Sequence, residues 1–362
     1  MCLFLQKKTN GRAFMIHYDY LIVGQGIAGT LLSHFLLKRG KKILVADELR
    51  PSAASLVAAG ICNPVTGKRF VKTWKADVIF PFAETIYREM EQHSGKEFYH
   101  HKNIIKKISG NEALEFFRAK QSSGELDDVI QLPNNGATPD LADSLEFEIA
   151  GGGYLDMAGL IDEYRQLLVS KGVFSTSTVT SSDLHFEDDV IVWAGNRFAR
   201  VIFCEGYRAV FNPLFSYLPF VPAKGEILTI HSPALQLHDI VMKDLFVLPL
   251  GNHFYKAGAT YKWNTLDETP SAEGLAELTT KLDRMLGCNY TITEHQAGIR
   301  PTVRDRMPLL GMHPVYKNTG IFNGLGTKGA SLAPYLANRF VQHLEDAMPL
   351  DKEVNIQRFK YQ

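Results

Sequence analysis

The first clear pattern is a nearly unbroken apolar run, Tyr18-Asp19-Tyr20-Leu21-Ile22-Val23. A run without alternation predicts a strand buried on both faces. After it, apolar positions recur with helical spacing over Gly26–Arg39. Gly40 follows, a residue suited to the position just past a helix end. Lys42–Ala46 is a second apolar strand, ending at Asp47-Glu48. Strand, helix and strand at this spacing form a βαβ unit, because parallel strands need such a crossover.

Further along, Ala76–Gln92 and Met157–Ser170 predict helices, with Asp156 placed to cap the second. Gly95 to Glu148 mixes short strands with a polar segment, and Pro133-Asn134-Asn135-Gly136 marks a turn. Arg200–Cys204 is another apolar run. From Val221 to Tyr261 the pattern changes to alternation, in Glu226–His231, Leu245–Leu250 and Phe254–Thr260, which predicts antiparallel strands. Ala272–Leu286 predicts a helix, and a helix-like stretch runs from Gly329 to Leu344.

Two glycine-rich turns lie at opposite ends of this pattern. Gly24-Gln25-Gly26-Ile27-Ala28-Gly29 follows the first strand and opens the first helix, as a dinucleotide-binding turn requires. Gly24 permits the tight turn, Gly26 admits a pyrophosphate to the backbone, and Gly29 lets helix and strand pack. Ile27 and Ala28 begin the helix whose free N–H groups suit the phosphates. Asp47, with Glu48 as fallback, is placed to accept from a ribose and disfavours a 2′-phosphate. The second turn, Asn323-Gly324-Leu325-Gly326-Thr327-Lys328-Gly329-Ala330, also opens a helix. Two such turns suggest one long ligand gripped from both ends, and FAD is such a ligand. Between Pro51 and Gly67 a loop of small residues includes Ser55, Ala59 and Gly60, which allow close backbone approach.

The expected fold class is therefore α/β with α+β character. A Rossmann-like FAD-binding domain is assembled from the discontinuous segments 15–75, 146–215 and 296–362. An antiparallel-sheet substrate domain is inserted as 76–145 and 216–295. Residues 1–14 read as a disordered extension, with Met15 a candidate functional start.

Composition changes this picture little. The 362 residues are 45% hydrophobic and 22% charged, and 39 basic residues balance 39 acidic ones. Zero net charge argues against a protein ruled by nucleic-acid or membrane electrostatics. Tyr20 to Leu37 carries Gln25, Ser33 and His34 and reads as a buried strand and helix, with no membrane span expected. Four scattered cysteines without a CxxC pair suit a reducing cytoplasmic location. The histidines show no ligand spacing, so no metal is expected. Lys68, Arg69, Lys72 and Lys75 cluster beside Trp74, where a phosphate-bearing or RNA substrate is one reading and a solvated basic face the other.

Ala297-Gly298-Ile299-Arg300-Pro301, then Asp305-x-x-Pro308-x-x-Gly311, the second glycine turn and Ala333-Pro334 resemble the D-amino-acid-oxidase-like flavoprotein superfamily, which includes glycine, sarcosine and D-amino-acid oxidases. The resemblance also covers Val221–Glu226 and Ala257-Gly258-Ala259-Thr260, and so nearly the whole chain. It implies that Arg300 binds a substrate carboxylate, a sound pairing for a bidentate guanidinium. Gly206, after the Arg200–Cys204 run, joins the expected cofactor-binding residues. No cysteine lies near Gly298, so the resemblance implies non-covalent FAD. Tyr255 and Tyr261 are candidates to line the substrate pocket. Leu325-Gly326-Thr327-Lys328-Gly329 with Val303-Arg304-Asp305-Arg306 looks more like the oxidase domain of the bifunctional tRNA wobble-uridine modification enzyme. The expected activity is oxidation of a small carboxylate-bearing amine or amino acid by hydride transfer from the α carbon to flavin N5. A 2-hydroxy acid or carboxymethylaminomethyl-modified tRNA are alternative substrates. A non-enzymatic dinucleotide-binding module is the alternative of another class.

Overall fold

A computed structural model describes residues 16–132, 144–187, 189–263 and 265–361. The N-terminal extension through Met15 and the turn at 133–136 lie outside them.

Two large sheets dominate. In the first, β1 (His17–Val23) is flanked by β2 (Ile43–Asp47) and by the strand Asn196–Phe203, both parallel to it. Phe174–Thr176 adds a parallel strand outside β2, and Thr319–Asn323 adds one beyond Asn196–Phe203. Antiparallel strands complete this eight-stranded sheet. Both faces are covered, which is why β1 carries no polar face. Tyr20 and Ile22 enter one core, while Leu21 and Val23 enter the other.

α1 (Ile27–Lys38) lies on the first of these cores, and every residue from Ile27 to Leu36 is buried. The glycines at its start are steric requirements. Gly24 has φ +100°, and a Cβ there would lie 2.5 Å from the Cys204 carbonyl oxygen. A Cβ on Gly29 would lie 1.9 Å from the Gly24 carbonyl oxygen. The helix Met157–Ser170 forms with Asp156 accepting from Gly159 N at 3.1 Å.

The second sheet has nine strands. Its spine is Ala223–His231, paired antiparallel with Phe254–Gly258 on one side and the long strand Thr291–Arg300 on the other. Phe246–Gly251, Ile240–Met242, Ile104–Ser109 and Ser144–Ile149 extend it outward. Ala272–Leu286 is helical and packs Leu278 and Leu282 behind the spine.

The expected segment boundaries need correction at three places. The helix Ala76–Ser94 buries Ile79, Ala83, Ile86, Tyr87 and Met90 in the core beside α1, not in the second sheet. Its Tyr87 hydroxyl donates to the Ala330 carbonyl at 2.5 Å. Ser144–Ile149 crosses the expected boundary at 146 as one strand of the second sheet, and Thr291–Arg300 crosses the boundary at 296. An unbroken hydrogen-bond ladder holds each strand together across the expected break.

Gly29→Ala is expected to lower stability by about 3 kcal/mol through overpacking against Gly24. Gly40→Ala has open space around its Cβ and only a φ of +70° to oppose it, so its cost is about 1 kcal/mol. Urea midpoints of the two variants check the difference.

Candidate active site

One cleft of about 550 Å³ runs from the C-terminal ends of β1 and β2 to the end of Thr291–Arg300. Its first half sits at the end of β1, which has β2 as its neighbour on one side and Asn196–Phe203 on the other. Open parallel sheets bind ligands at such a crevice.

At this end Gly24, Gly26, Ile27, Ala28 and Asp47 line the wall. The turn is pinned from behind. Gln25 N donates to Asp47 Oδ2 at 2.6 Å, and the buried Gln25 side chain donates to the Ile161 carbonyl at 3.0 Å. Leu49 N donates to Asp47 Oδ1 at 2.7 Å. α1 carries no side-chain cap at Gly26, so its positive end opens on the cleft. Ile27 N donates to Ser55 Oγ at 3.1 Å, and Ser55, Ala59, Gly60 and Gly206 complete this wall. Glu48 also lines it, but its carboxylate is engaged by Arg50 at 2.5 Å and Arg208 at 2.7 Å. Gly29 does not reach the cleft, because its place is the contact with Gly24.

The second glycine turn supplies the facing wall through Gly326, Thr327, Lys328 and Gly329. Gly324 packs against Val303 and Leu309 instead, away from the cavity. The helix Gly329–Asp346 starts here without a side-chain cap, and a Cβ on Gly329 would lie 3.1 Å from Ile27 Cγ2. The two helix starts therefore meet at one point, and both open on the same cavity. A phosphate-bearing ligand with a long second half fits this cradle, and FAD has that shape. Lys328 donates to the Thr73 hydroxyl at 3.4 Å. Burial, then the nearby Arg306, lowers its pKa.

Arg300 closes the far end. Its guanidinium lies across Gly225, where a Cβ would come within 2.1 Å of Nη2. Both terminal nitrogens donate to the Thr260 carbonyl at 3.3 Å, and the group stacks 4.9 Å from the Tyr261 ring centroid. Burial pulls its pKa down, while Tyr261 opposes this. Arginine stays charged nonetheless, and among the described residues no carboxylate faces it. Thr260 is held in turn by Glu226, since Thr260 Oγ1 accepts from Glu226 N at 2.9 Å and Thr260 N donates to the Glu226 carbonyl at 3.1 Å. The Glu226 carboxylate is fully buried against Ser271, His295 and Lys224. Tyr261 lines the cleft, but Tyr255 does not. The Tyr255 ring points into the opposite core, where its hydroxyl donates to the Leu235 carbonyl. Tyr255 lies within the strand Phe254–Gly258 and shares its core face with Ala257, whereas Tyr261 lies beyond the end of that strand, where alternation no longer fixes its side.

The basic cluster also reads differently in three dimensions. Lys72 pairs with Asp77 and Asp128, and Lys75 pairs with Asp351. These contacts leave no continuous basic track.

Several lining residues had little signature in the chain. Arg50 also pairs with Glu268 at 2.5 Å and stacks on Tyr207. Glu205 was legible as an acid ending an apolar run. It is half-buried beside Cys204, and that burial pushes its carboxyl up to about 7, against the Asn212 hydrogen bond and Arg208. Burial likewise raises the Cys204 thiol, leaving it unreactive at this wall. Among the described residues, no group of side chains fits a metal, and no helix is long and apolar enough to cross a membrane.

A family model described as FAD dependent oxidoreductase matches residues 19–342. Glycine oxidase of Bacillus licheniformis is 27% identical over 351 residues, covering 88% of this chain and 90% of that one. The tRNA 5-methylaminomethyl-2-thiouridine biosynthesis bifunctional protein MnmC of Hahella chejuensis is 24% identical, over 96% of this chain but 59% of its own length. Among solved structures, iminodiacetate oxidase from Chelativorans sp. BNC1 shares the fold with a TM-score of 0.77 at 21% identity, covering 93% of this chain and 98% of that one.

Gly225→Ala is expected to displace the Arg300 guanidinium and raise KM for a carboxylate ligand about tenfold or more, with the nucleotide end undisturbed. Steady-state kinetics beside flavin content check it. Glu205 holds its proton more tightly folded than unfolded, where a glutamate titrates near 4.3. Its contribution therefore turns against the fold as pH rises from about 4.3 to about 7, then levels off. Glu205→Gln is expected to match the parent near pH 4.5 and exceed its stability at pH 8, as read by urea melts.

Proposed function

The chain belongs to the FAD-dependent oxidoreductase family, and on that premise we propose that it oxidises a small carboxylate-bearing amine or amino acid. The observation that carries this reading is Arg300, a half-buried guanidinium at the end of the cleft with no carboxylate facing it among the described residues. A cation held this way is completed by a ligand's carboxylate, which accepts the bidentate pair that no protein group takes.

The nucleotide end supports non-covalent FAD. Gly24, Gly26, Ile27 and Ala28 would receive the pyrophosphate and Asp47 the adenosine ribose. Ser55, Ala59, Gly60 and Gly206 would border the same half, with Gly326, Thr327, Lys328 and Gly329 facing the flavin half. When bound, FAD supplies a two-electron acceptor for a hydride from the substrate carbon beside nitrogen.

The protein's own part is positional. Arg300 fixes the carboxylate, and Thr260 and Gly225 fix Arg300. Tyr261 shields one face of the guanidinium from water and shapes the approach to it. The lone pair of a neutral amine then assists loss of hydride from the adjacent carbon, and the imine product is hydrolysed by water. No side-chain base is needed. Glycine oxidase and iminodiacetate oxidase among the similar proteins act on ligands of this class by their names, which supports an amine over a 2-hydroxy acid.

Arg300→Ala is expected to keep its FAD and lose about 100-fold in kcat/KM on a carboxylated amine. Anaerobic bleaching of the flavin bands by a pool of amino acids and N-substituted glycines reads the activity directly. Bleaching by hydroxy acids alone would move the substrate to that class, and equal kinetics in the variant would remove Arg300 from the site.

A further inference from the structure

A second cavity, of about 290 Å³, adjoins the cleft and shares Asn63, Thr66 and Met242 with it. Lys68 and Lys106 line it, and no acidic residue does. Lys68 is exposed, but Lys106 is half-buried on the strand Ile104–Ser109. Among the described residues the Lys106 ammonium has no hydrogen bond or ion pair, only the field of Asp244. Burial lowers its pKa for that reason. Holding an ammonium out of water without a partner is costly, and an anionic ligand removes the cost.

The sheet register gives the distance between the two cationic sites. Arg300 lies over Gly225 on the spine strand. Across the sheet from that strand, Ile227 faces Gly258, Gly258 faces Phe246, Phe246 faces Met242, and Met242 faces Lys106. Four strand spacings separate the columns, about 19 Å at about 4.8 Å each. The Arg300 guanidinium already lies over that strand, so only the reach of Lys106 shortens the span, leaving a gap on the order of 15 Å between the cations and about 10 Å between the anions they would hold.

Resting on the carboxylated-amine reading, we propose that the substrate carries a second anionic group, at the far end of an extended arm, and that Lys106 with Lys68 receives it. The arm lies along the apolar row of Ile227, Phe246 and Met242. Glycine and sarcosine leave this second site empty. The terminal group is a carboxylate or a phosphate on a small molecule. The pairing of Lys72 and Lys75 with acids removes the basic track an RNA strand would need.

The test is a series of glycines N-substituted with carboxyalkyl arms of increasing length, a phosphonoalkyl series, and N-alkylglycines matched in length. Flavin bleaching and kcat/KM are read for the parent, Lys106→Met and Lys68→Met. In the parent, kcat/KM is expected to rise with arm length to an optimum near a 10 Å separation of the anions. It should exceed the matched N-alkylglycine by about 10- to 100-fold. Lys106→Met should erase that ratio, and Lys68→Met should reduce it less because its charge is hydrated. The carboxylate and phosphonate series identify the preferred terminal group. Equal kcat/KM for charged and uncharged arms, or a ratio unchanged in Lys106→Met, would overturn the second site while leaving the amine reading standing. Lys106-dependent, salt-sensitive retention of tRNA would overturn the small-molecule assignment. If no N-substituted glycine of any length bleaches the flavin, the amine reading itself has failed.

Discussion

The start of α1 and the start of the Gly329–Asp346 helix are brought together by residues with little or no side chain, and the rest of the molecule is arranged to keep them so. Gly29 lets α1 settle on the Gly24 carbonyl, and Gly329 lets the second helix settle on Ile27. Each helix start offers N–H groups and partial positive charge, with Ser55 Oγ taking the Ile27 N–H and no side chain capping Gly329–Asp346. On the proposed reading, a long anionic cofactor is met from two directions by backbone dipoles that need no rearrangement. Gln25, threaded between Ile161, Thr30 and Arg165, and the Tyr87 hydroxyl on Ala330 hold the cradle from behind.

Charge is distributed unevenly along the cleft. Its acids, Asp47, Glu48 and Glu205, all lie at the nucleotide end, while Arg300 and Lys328 lie toward the other. The buried Glu226 holds Thr260 through its backbone, while its carboxylate is spent on Lys224 and His295. The guanidinium is thereby oriented without being neutralised. That separation between holding a charge and cancelling it is what leaves its Coulomb energy to the ligand.

The local half of this structure was legible in the chain. An apolar run with no alternation, a glycine turn and an acidic strand end at Asp47 define β1, α1 and β2 because each signal acts over a few residues. Arg300 and the two turns were likewise visible as motifs. What escaped was decided across the chain. The helix Ala76–Ser94 has an apolar face that suits either core, and only the packing of Tyr87 against Ala330 selects one. Tyr255 and Tyr261 look equivalent as aromatic residues around one strand, but the strand ends at Gly258, so the ladder holds the first in the core and leaves the second outside it. The basic cluster dissolves because Asp128 and Asp351 arrive from distant segments. Gly225 is an inconspicuous glycine in sequence and the surface on which the Arg300 guanidinium lies in space.

The parallel order of the first sheet has a consequence for how the protein is made. β1 and β2 leave the ribosome early, but β1 pairs on its other side only with Asn196–Phe203, and α1 is covered by Ala76–Ser94, by Met157–Ser170 and, last of all, by Gly329–Asp346. At ordinary elongation rates, roughly ten to thirty-five seconds of synthesis separate β1 from that first long-range partner. Throughout this interval Leu21, Ile22 and Val23 present an apolar edge with no finished sheet to enter. The wall of the cleft that needs both glycine turns is therefore complete only once Gly329–Asp346 has been made. The protection of the nascent chain in that period falls to whatever holds exposed apolar strands apart.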